Sequence, residues 1–346
     1  MVKIGSSLFY PDKKNLDFRL LEQVAGSIHC LIRQDKEVIV VSSGAIALGM
    51  SVLGLRARPK ELSYLQAIAA VGQNELMNKF SELFHKDTVK CAQVLLTWED
   101  FSERKRYLNA KNALQKILAL KCIPVINEND SISTEEIRFG DNDRLSALVA
   151  ALTSADILII LSDVDGLLDK DRKSVIRVVD EISPRVKGLA CPTDRHTCVG
   201  GMITKVEAAK IAVDSGIPCV IANGGKKDIL LSIAADPLSE GTLFIPKGGF
   251  LAAKKRWIAF GSKSTKGNII VDDGARNALA AKKSLLSVGI LGSEGDFRKG
   301  DIISITDKEG REFARAKTNI SNAELQAIKG RRSEKEVAHR DNIVIL

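Results

Sequence analysis

The chain has 346 residues, 45% of them hydrophobic and 27% charged, with a formal net charge of +8. That is ordinary soluble composition and enough length for two domains. The apolar run Leu145 to Ala155 stops at Asp156, far short of the ~18 residues a transmembrane helix requires, so no membrane span is expected. Lys3 falls inside what reads as the first strand and no apolar h-region or cleavage site follows it, so the cytoplasm is the expected compartment. Six cysteines, Cys30, Cys91, Cys122, Cys191, Cys198 and Cys219, show no CxxC spacing and are read as reduced and structural. The segment from Cys191 to Cys198, with His196 between them, also lacks the spacing of a zinc site.

In chain order, Val2 to Ile4 reads as a short strand, Leu16 to Ile32 as an amphipathic helix, and Glu37 to Val41 as a strand. A helix from Ala45 to Leu53 follows Ser42-Ser43-Gly44. Helix Glu61 to Phe84, strand Lys90 to Leu96, helix Phe101 to Leu120 and strand Ile123 to Ile126 come next. Helix Asp143 to Leu152, strand Ile157 to Leu161, helix Ile203 to Ser215 and strand Pro218 to Ala222 complete the alternation. Repeated βα units with apolar strands predict an α/β fold, a mainly parallel sheet sandwiched by helices, over residues 1–245. Pro246-Lys247-Gly248-Gly249 breaks the pattern, and 246–251 reads as a linker. In residues 252–346, Arg256 to Phe260, Ile269 to Val271, Ile302 to Thr306 and Ile343 to Leu346 read as short strands of a small β-rich domain.

Residues 252–346 hold 19 Lys and Arg against 12 Asp and Glu, so seven of the eight net charges lie there. This suggests a near-neutral catalytic region followed by a basic module facing RNA or another polyanion, set against the simpler reading of a solvated lysine-rich surface.

Two polar knots stand out. Asn127, Glu128, Asn129 and Asp130 follow the strand Ile123 to Ile126, where open α/β sheets place ligands. Gly140-Asp141-Asn142-Asp143 supplies cap residues to the next helix. Singly, each reads as turn and cap chemistry. Together, two clusters of amides and carboxylates call for a cation, an amine or a phosphate to face.

Phosphate chemistry has three candidate turns. A Walker A loop is absent, since Gly225-Lys226 is followed by Lys227, and no GxGxxG fingerprint follows a strand. The segments Lys3 to Ser7, Ser42 to Ala45 and Val199 to Lys205 each carry glycine at a strand or helix end, where backbone N–H groups can approach an anion. Lys3 and Lys205 add full charges, making a cradle for a transferring phosphoryl group.

These segments, VKIGSS, VVSSGAIALG, AAVGQNELM, PVINENDSIS, FGDNDRLSALVA, LSDVDGL and GGMITKVEAA, resemble the glutamate 5-kinases of the amino acid kinase superfamily over nearly the whole chain. The C-terminal domain is similar to the PUA module of RNA-modifying proteins. The resemblance implies ATP and Mg2+ as cofactors and transfer of phosphate to the side-chain carboxylate of L-glutamate, with proline as an inhibitor. It implies that Lys3 and Lys205 flank the transferring phosphate and that Asp163 orients them. Ser43, Asp130 and Asn142 would bind glutamate, with Asn127 and Asp143 lining the pocket. Ser162, Asp163 and the loop Val199, Gly200, Gly201, Met202, Ile203, Thr204 and Lys205 would bind the nucleotide, with Lys3. It also implies a homodimer or homotetramer and RNA contact through residues 252–346. The alternatives are another acyl-phosphate-forming relative such as acetylglutamate kinase or aspartokinase, uridylate kinase, or an RNA-binding protein with a regulatory α/β domain. The acidic pocket argues against acetylglutamate, which has no free ammonium.

Overall fold

The computed structural model describes residues 1–8, 17–85, 89–132, 141–190, 201–247, 255, 258–259, 265–331, 333 and 335–346. The chain divides into two compact units. The first holds an eight-stranded sheet in the order β3-β4-β2-β1-β5-β7-β8-β6. Its strands are β1 (Val2–Ile4), β2 (Val40–Ser42), β3 (Lys90–Leu96), β4 (Cys122–Glu128), β5 (Leu158–Ser162), β6 (Val178–Val179), β7 (Cys219–Asn223) and β8 (Thr242–Phe244). From β3 to β7 every neighbouring pair is parallel, and β8 runs antiparallel to β7. The chain leaves β1 toward β2 on one side and returns on the other through β5, so the C-terminal ends of β1, β2, β4 and β5 share one edge. Ligand crevices of open α/β sheets lie at such an edge.

The two faces of the sheet follow from strand alternation. Val2, Ile4, Val40, Ile123, Val125, Ile159, Leu161 and Val220 join one apolar cluster with Leu21, Val24 and Ile28 of α1 (Arg19–Arg33) and Leu76, Phe80 and Phe84 of α3 (Leu62–His85). Lys3 lies between Val2 and Ile4 in sequence, so it points to the opposite face. There α6 (Asp141–Thr153) packs over β1, β2, β4 and β5 and, beyond α7 (Pro184–Leu189) in the chain, against α8 (Met202–Asp214). Ala147, Leu148, Val149, Ala150 and Leu152 of α6 are all buried, as expected of a helix covered on every side.

One helix contact is unusually close. In α2 (Ala45–Val52) and α3, a Cβ placed on Gly72 would lie 1.8 Å from the Ala45 carbonyl oxygen, and one on Gly49 would lie 2.0 Å from that of Ile68. Backbone touches backbone there, which only glycine permits.

The second unit comprises Trp98–Tyr107 together with the C-terminal residues, a grouping that sequence order does not reveal. It contains a five-stranded sheet, β11-β9-β12-β13-β15, and a two-stranded one, β10-β14. The strands are β9 (Asn268–Val271), β10 (Leu285–Leu286), β11 (Ile290–Glu294), β12 (Ile302–Thr306), β13 (Glu312–Lys317), β14 (Glu336–Ala338) and β15 (Ile343–Ile345). Ile269, Val271, Phe297, Ile303, Ile305, Leu325 and Val337 form its core.

Three elements differ from the sequence expectation, the first being the strand expected from Glu37 to Val41, which spans only Val40–Ser42. The helix expected from Phe101 to Leu120 is two helices, α4 (Trp98–Ser102) and α5 (Arg104–Ala119). Ser102 Oγ donates to the Trp98 and Glu99 carbonyls, the local bonding that bends helices. In the expected strand Arg256 to Phe260, Ile258 and Ala259 are helical and its other residues lie outside the described set. A run this short carries no periodicity that separates strand from helix. Among the described residues no helix is long and apolar enough to cross a membrane.

Glycine context generates a paired prediction. Gly26, inside α1 with nothing near its Cβ position, should gain about 0.5–1 kcal/mol of stability as Gly26→Ala. Gly72→Ala should lose about 2–3 kcal/mol, because the added methyl meets backbone. Urea denaturation of both variants measures the difference, and effects of the same sign would contradict the packing described.

Candidate active site

The C-terminal ends of β1, β2 and β4 bring two polar clusters to the N-terminus of α6. The first is electrostatic. Asp143, in the first turn of α6 and fully buried, pairs with Lys3 from β1 at 2.5 Å and with Lys205 from α8 at 3.0 Å. Thr204 Oγ1 donates to the same carboxylate at 2.8 Å. Burial pushes the Asp143 carboxyl up, but the Lys3 and Lys205 ammonium groups and the hydrogen bonds from Lys3 and Thr204 outweigh it and hold the group below the usual aspartate value. Burial also lowers the Lys3 ammonium, against the pull of Asp143 and with the help of its like-charged neighbour Lys205. Two cations share one anion, so the cluster carries a net positive charge at a helix N-terminus, which suits a phosphate.

Asp163 is the residue expected to orient the lysines; the carboxylate that pairs with both of them here is Asp143, read from sequence as a pocket-lining residue. Asp163 is exposed just beyond β5, accepts from Ser162 Oγ at 2.9 Å, and acts on Lys3 only as a longer-range charge. The reason is topological: α6 crosses directly above β1, whereas Asp163 lies past the end of the neighbouring strand.

The second cluster is made of amides. Asn142 Nδ2 donates to Asn127 Oδ1 at 2.9 Å, Ser43 Oγ at 3.0 Å and the Ser42 carbonyl at 3.2 Å. Asn127 Oδ1 also accepts from the Glu128 N–H at 2.9 Å, and its Nδ2 donates to Gln73 Oε1 on α3 at 2.8 Å. Asn142 Oδ1 is buried without a hydrogen-bond partner among the described residues, an acceptor suited to an ammonium group. Because Asn142 and Asp143 are consecutive, the amide cluster and the lysine cluster adjoin. Asp130 lies in the turn after β4, within the field of Arg58, whose guanidinium is lowered by burial and raised by Asp130.

Three glycines line the two clusters. Gly44 caps α2 with φ +109°, directly after Ser43, and Gly201 caps α8 with φ +76°. A Cβ on Gly5 would stand 3.1 Å from the Leu161 carbonyl oxygen, 3.5 Å from Ser7 Oγ and 3.7 Å from Lys3 Nζ, so the bare backbone here passes close to that ammonium. The described residues hold no group of three His, Cys, Asp or Glu arranged to bind a metal. Val199 and Gly200, the Cys191 to Cys198 segment and residues 133–140 lie outside the described set; Met202, Ile203, Thr204 and Lys205 open α8 as expected.

Sequence reasoning included Gln73 in the segment AAVGQNELM without giving it a role, and did not single out Arg58. Gln73 sits in a helix whose other buried residues are mostly apolar, so only its contact with Asn127 marks it. Arg58 lies between α2 and α3 with no motif around it.

Comparison with known proteins agrees with this architecture. The sequence model described as Amino acid kinase family matches residues 1–223, and that of the PUA domain matches residues 267–339. Glutamate 5-kinase of Caldanaerobacter subterraneus subsp. tengcongensis is 43% identical, over 100% of this chain and 97% of that protein. Glutamate 5-kinase of Pelagibacter ubique is 42% identical over 99% of this chain and 97% of that protein, and that of Pelobacter propionicus 40% over 100% and 97%. With a parallel sheet that gathers two lysines around one carboxylate and a match of this extent, the chain belongs to the amino acid kinase family, among the glutamate 5-kinases that carry a C-terminal PUA domain.

Proposed function

We propose that this enzyme phosphorylates the side-chain carboxylate of L-glutamate with ATP, giving L-glutamyl 5-phosphate and ADP. The observation that carries this reading is the junction of the amide cluster with the Lys3-Asp143-Lys205 cluster through two consecutive residues. Asn142 Oδ1, together with Asp130, would receive the substrate ammonium, and Ser43 with the N-terminus of α2 would receive the α-carboxylate. The nucleophile needs no general base, since a glutamate carboxylate of pKa ~4.3 is already ionised at neutral pH.

The barrier is repulsion between that anion and the ATP phosphates. Lys3 and Lys205 would meet the transferring phosphate from two sides, with Asp143 fixing their positions and Thr204 fixing Asp143. Gly5, Ser162, Asp163 and the segment Gly201 to Lys205 would hold the nucleotide. Mg2+ bound to the phosphates would neutralise part of their charge.

Proline would compete with glutamate, since it shares the amine and α-carboxylate but presents no nucleophile. The polyanion reading of residues 252–346 is supported by a cavity of about 640 Å³ whose lining includes Lys282, Lys283 and Arg340, along with Asp272 and Glu336. Exposed Val52, Leu53, Leu55 and Tyr64 around α2 and α3 support assembly as a homodimer or homotetramer.

With ATP and Mg2+, hydroxylamine should trap glutamyl hydroxamate from L-glutamate, and faster turnover of N-acetylglutamate, aspartate or UMP would contradict the assignment. Lys205→Ala should lower kcat about a hundredfold with little change in the KM for glutamate, because its charge acts mainly in the transition state; an unchanged kcat would exclude it.

Asp143→Asn should abolish activity and cost about 3 kcal/mol in urea denaturation at pH 7, because two buried ammonium groups lose their counter-charge. The folded pKa of Asp143 lies below its unfolded value of ~3.9, so its contribution is complete above that pH and is lost as pH falls through the folded value. The stability gap between wild type and Asp143→Asn should therefore close in acid. A gap that widened there would contradict the ion pairing.

Rates across a glutamate and proline matrix should show proline raising the apparent KM while sparing kcat. Inhibition undiminished at saturating glutamate would place proline at a separate site.

A further inference from the structure

We infer that Gln73 is a positioning residue for amino-acid recognition, acting through Asn127 on Asn142. The inference rests on the reading of Ser43, Asn127 and Asn142 as the glutamate pocket.

Two backbone groups fix the direction of the amide network. The Glu128 N–H can only donate, so the Asn127 atom facing it at 2.9 Å is Oδ1. The Ser42 carbonyl can only accept, so the Asn142 atom facing it at 3.2 Å is Nδ2. Asn127 Oδ1 thus receives both the Glu128 N–H and Asn142 Nδ2, and its Nδ2 is turned toward α3. There Gln73 Oε1 accepts it at 2.8 Å.

Asn127 is 2% exposed and Gln73 9%, so water does not readily replace that acceptor. Without it a buried N–H loses its partner, and rotation of the Asn127 amide to find another would carry Oδ1 away from Asn142. Asn142, whose Oδ1 has no partner among the described residues and is the acceptor offered to substrate, is held by Asn127 Oδ1 together with Ser43 Oγ and the Ser42 carbonyl, and Gln73 bears on the first of these contacts.

The position of Gln73 is itself fixed. Its neighbour Gly72 brings α3 into backbone contact with Ala45, two residues beyond Ser43. Helix α3 therefore touches the pocket twice, at the start of α2 and at the end of β4. A glutamine serving only to satisfy an interior hydrogen bond would affect stability alone. A positioning residue affects recognition of the amino acid.

Steady-state kinetics of the full chain separate the two. Gln73→Met keeps the length and removes the acceptor; it should raise the KM for glutamate about tenfold while kcat and the KM for ATP stay within about twofold. Gln73→Glu keeps an acceptor oxygen and should hold the KM for glutamate within about threefold of wild type. A folded Gln73→Met with an unchanged KM for glutamate, its effect confined to the melting temperature, would overturn the inference. If Gln73→Met does not fold, a tenfold rise in Gln73→Glu would overturn it equally. Wild-type protein that phosphorylates no glutamate would overturn the functional reading, and this inference with it.

Discussion

The site depends on one buried carboxylate shared by two lysines. Removing charges from water is costly, and the Coulomb attraction between them offsets that cost only when geometry and hydrogen bonding are both good. Asp143 has the Lys3 ammonium as ion-pair partner on one oxygen and hydrogen bonds from Lys205 and Thr204 on the other. Because Lys3 comes from the central strand β1 and Lys205 from the first turn of α8, the pairing ties sheet, α6 and α8 together at the edge where a phosphate would bind. It also leaves one positive charge uncompensated, which an incoming anion can meet.

Geometry on the other side of α6 is set by neutral groups. Asn127, Asn142 and Gln73 come from three separate elements and Ser43 from the turn before α2, and the directions of Asn127 and Asn142 are settled by backbone groups that can only donate or only accept. A neutral network suits this place. It can orient a zwitterionic substrate without adding charge next to the lysines, and when every member is paired it holds one arrangement. The helix contact at Gly49 and Gly72 serves the same end, because backbone packed on backbone leaves little freedom for α3 to shift.

Much of the fold was legible in the sequence because the apolar strands and the helices around them repeat in βα order. Strand Lys90 to Leu96 and strand Ile302 to Thr306 emerged with the same bounds. Short pieces were not legible: β6 has two residues and β8 three, and both depend on pairing with distant chain. Both lysines and both polar knots could be found from residue type and position at element ends. Which aspartate pairs the lysines could not, since Asp143 and Asp163 both follow turn-like segments, and only the crossing of α6 above β1 separates them. Gln73 was hidden for a related reason: its role comes from a contact 54 residues away in sequence.

The central claim, that Asp143 binds both lysines as one unit, is tested most directly by a double-mutant cycle on folding stability. Asp143→Asn and Lys205→Met would be measured singly and together by urea denaturation at neutral pH. If the carboxylate is shared, the double variant should lose clearly less than the sum of the singles, with a coupling of about 1–3 kcal/mol, because each single change leaves a buried charge unbalanced. Additivity within about 0.5 kcal/mol would contradict the account.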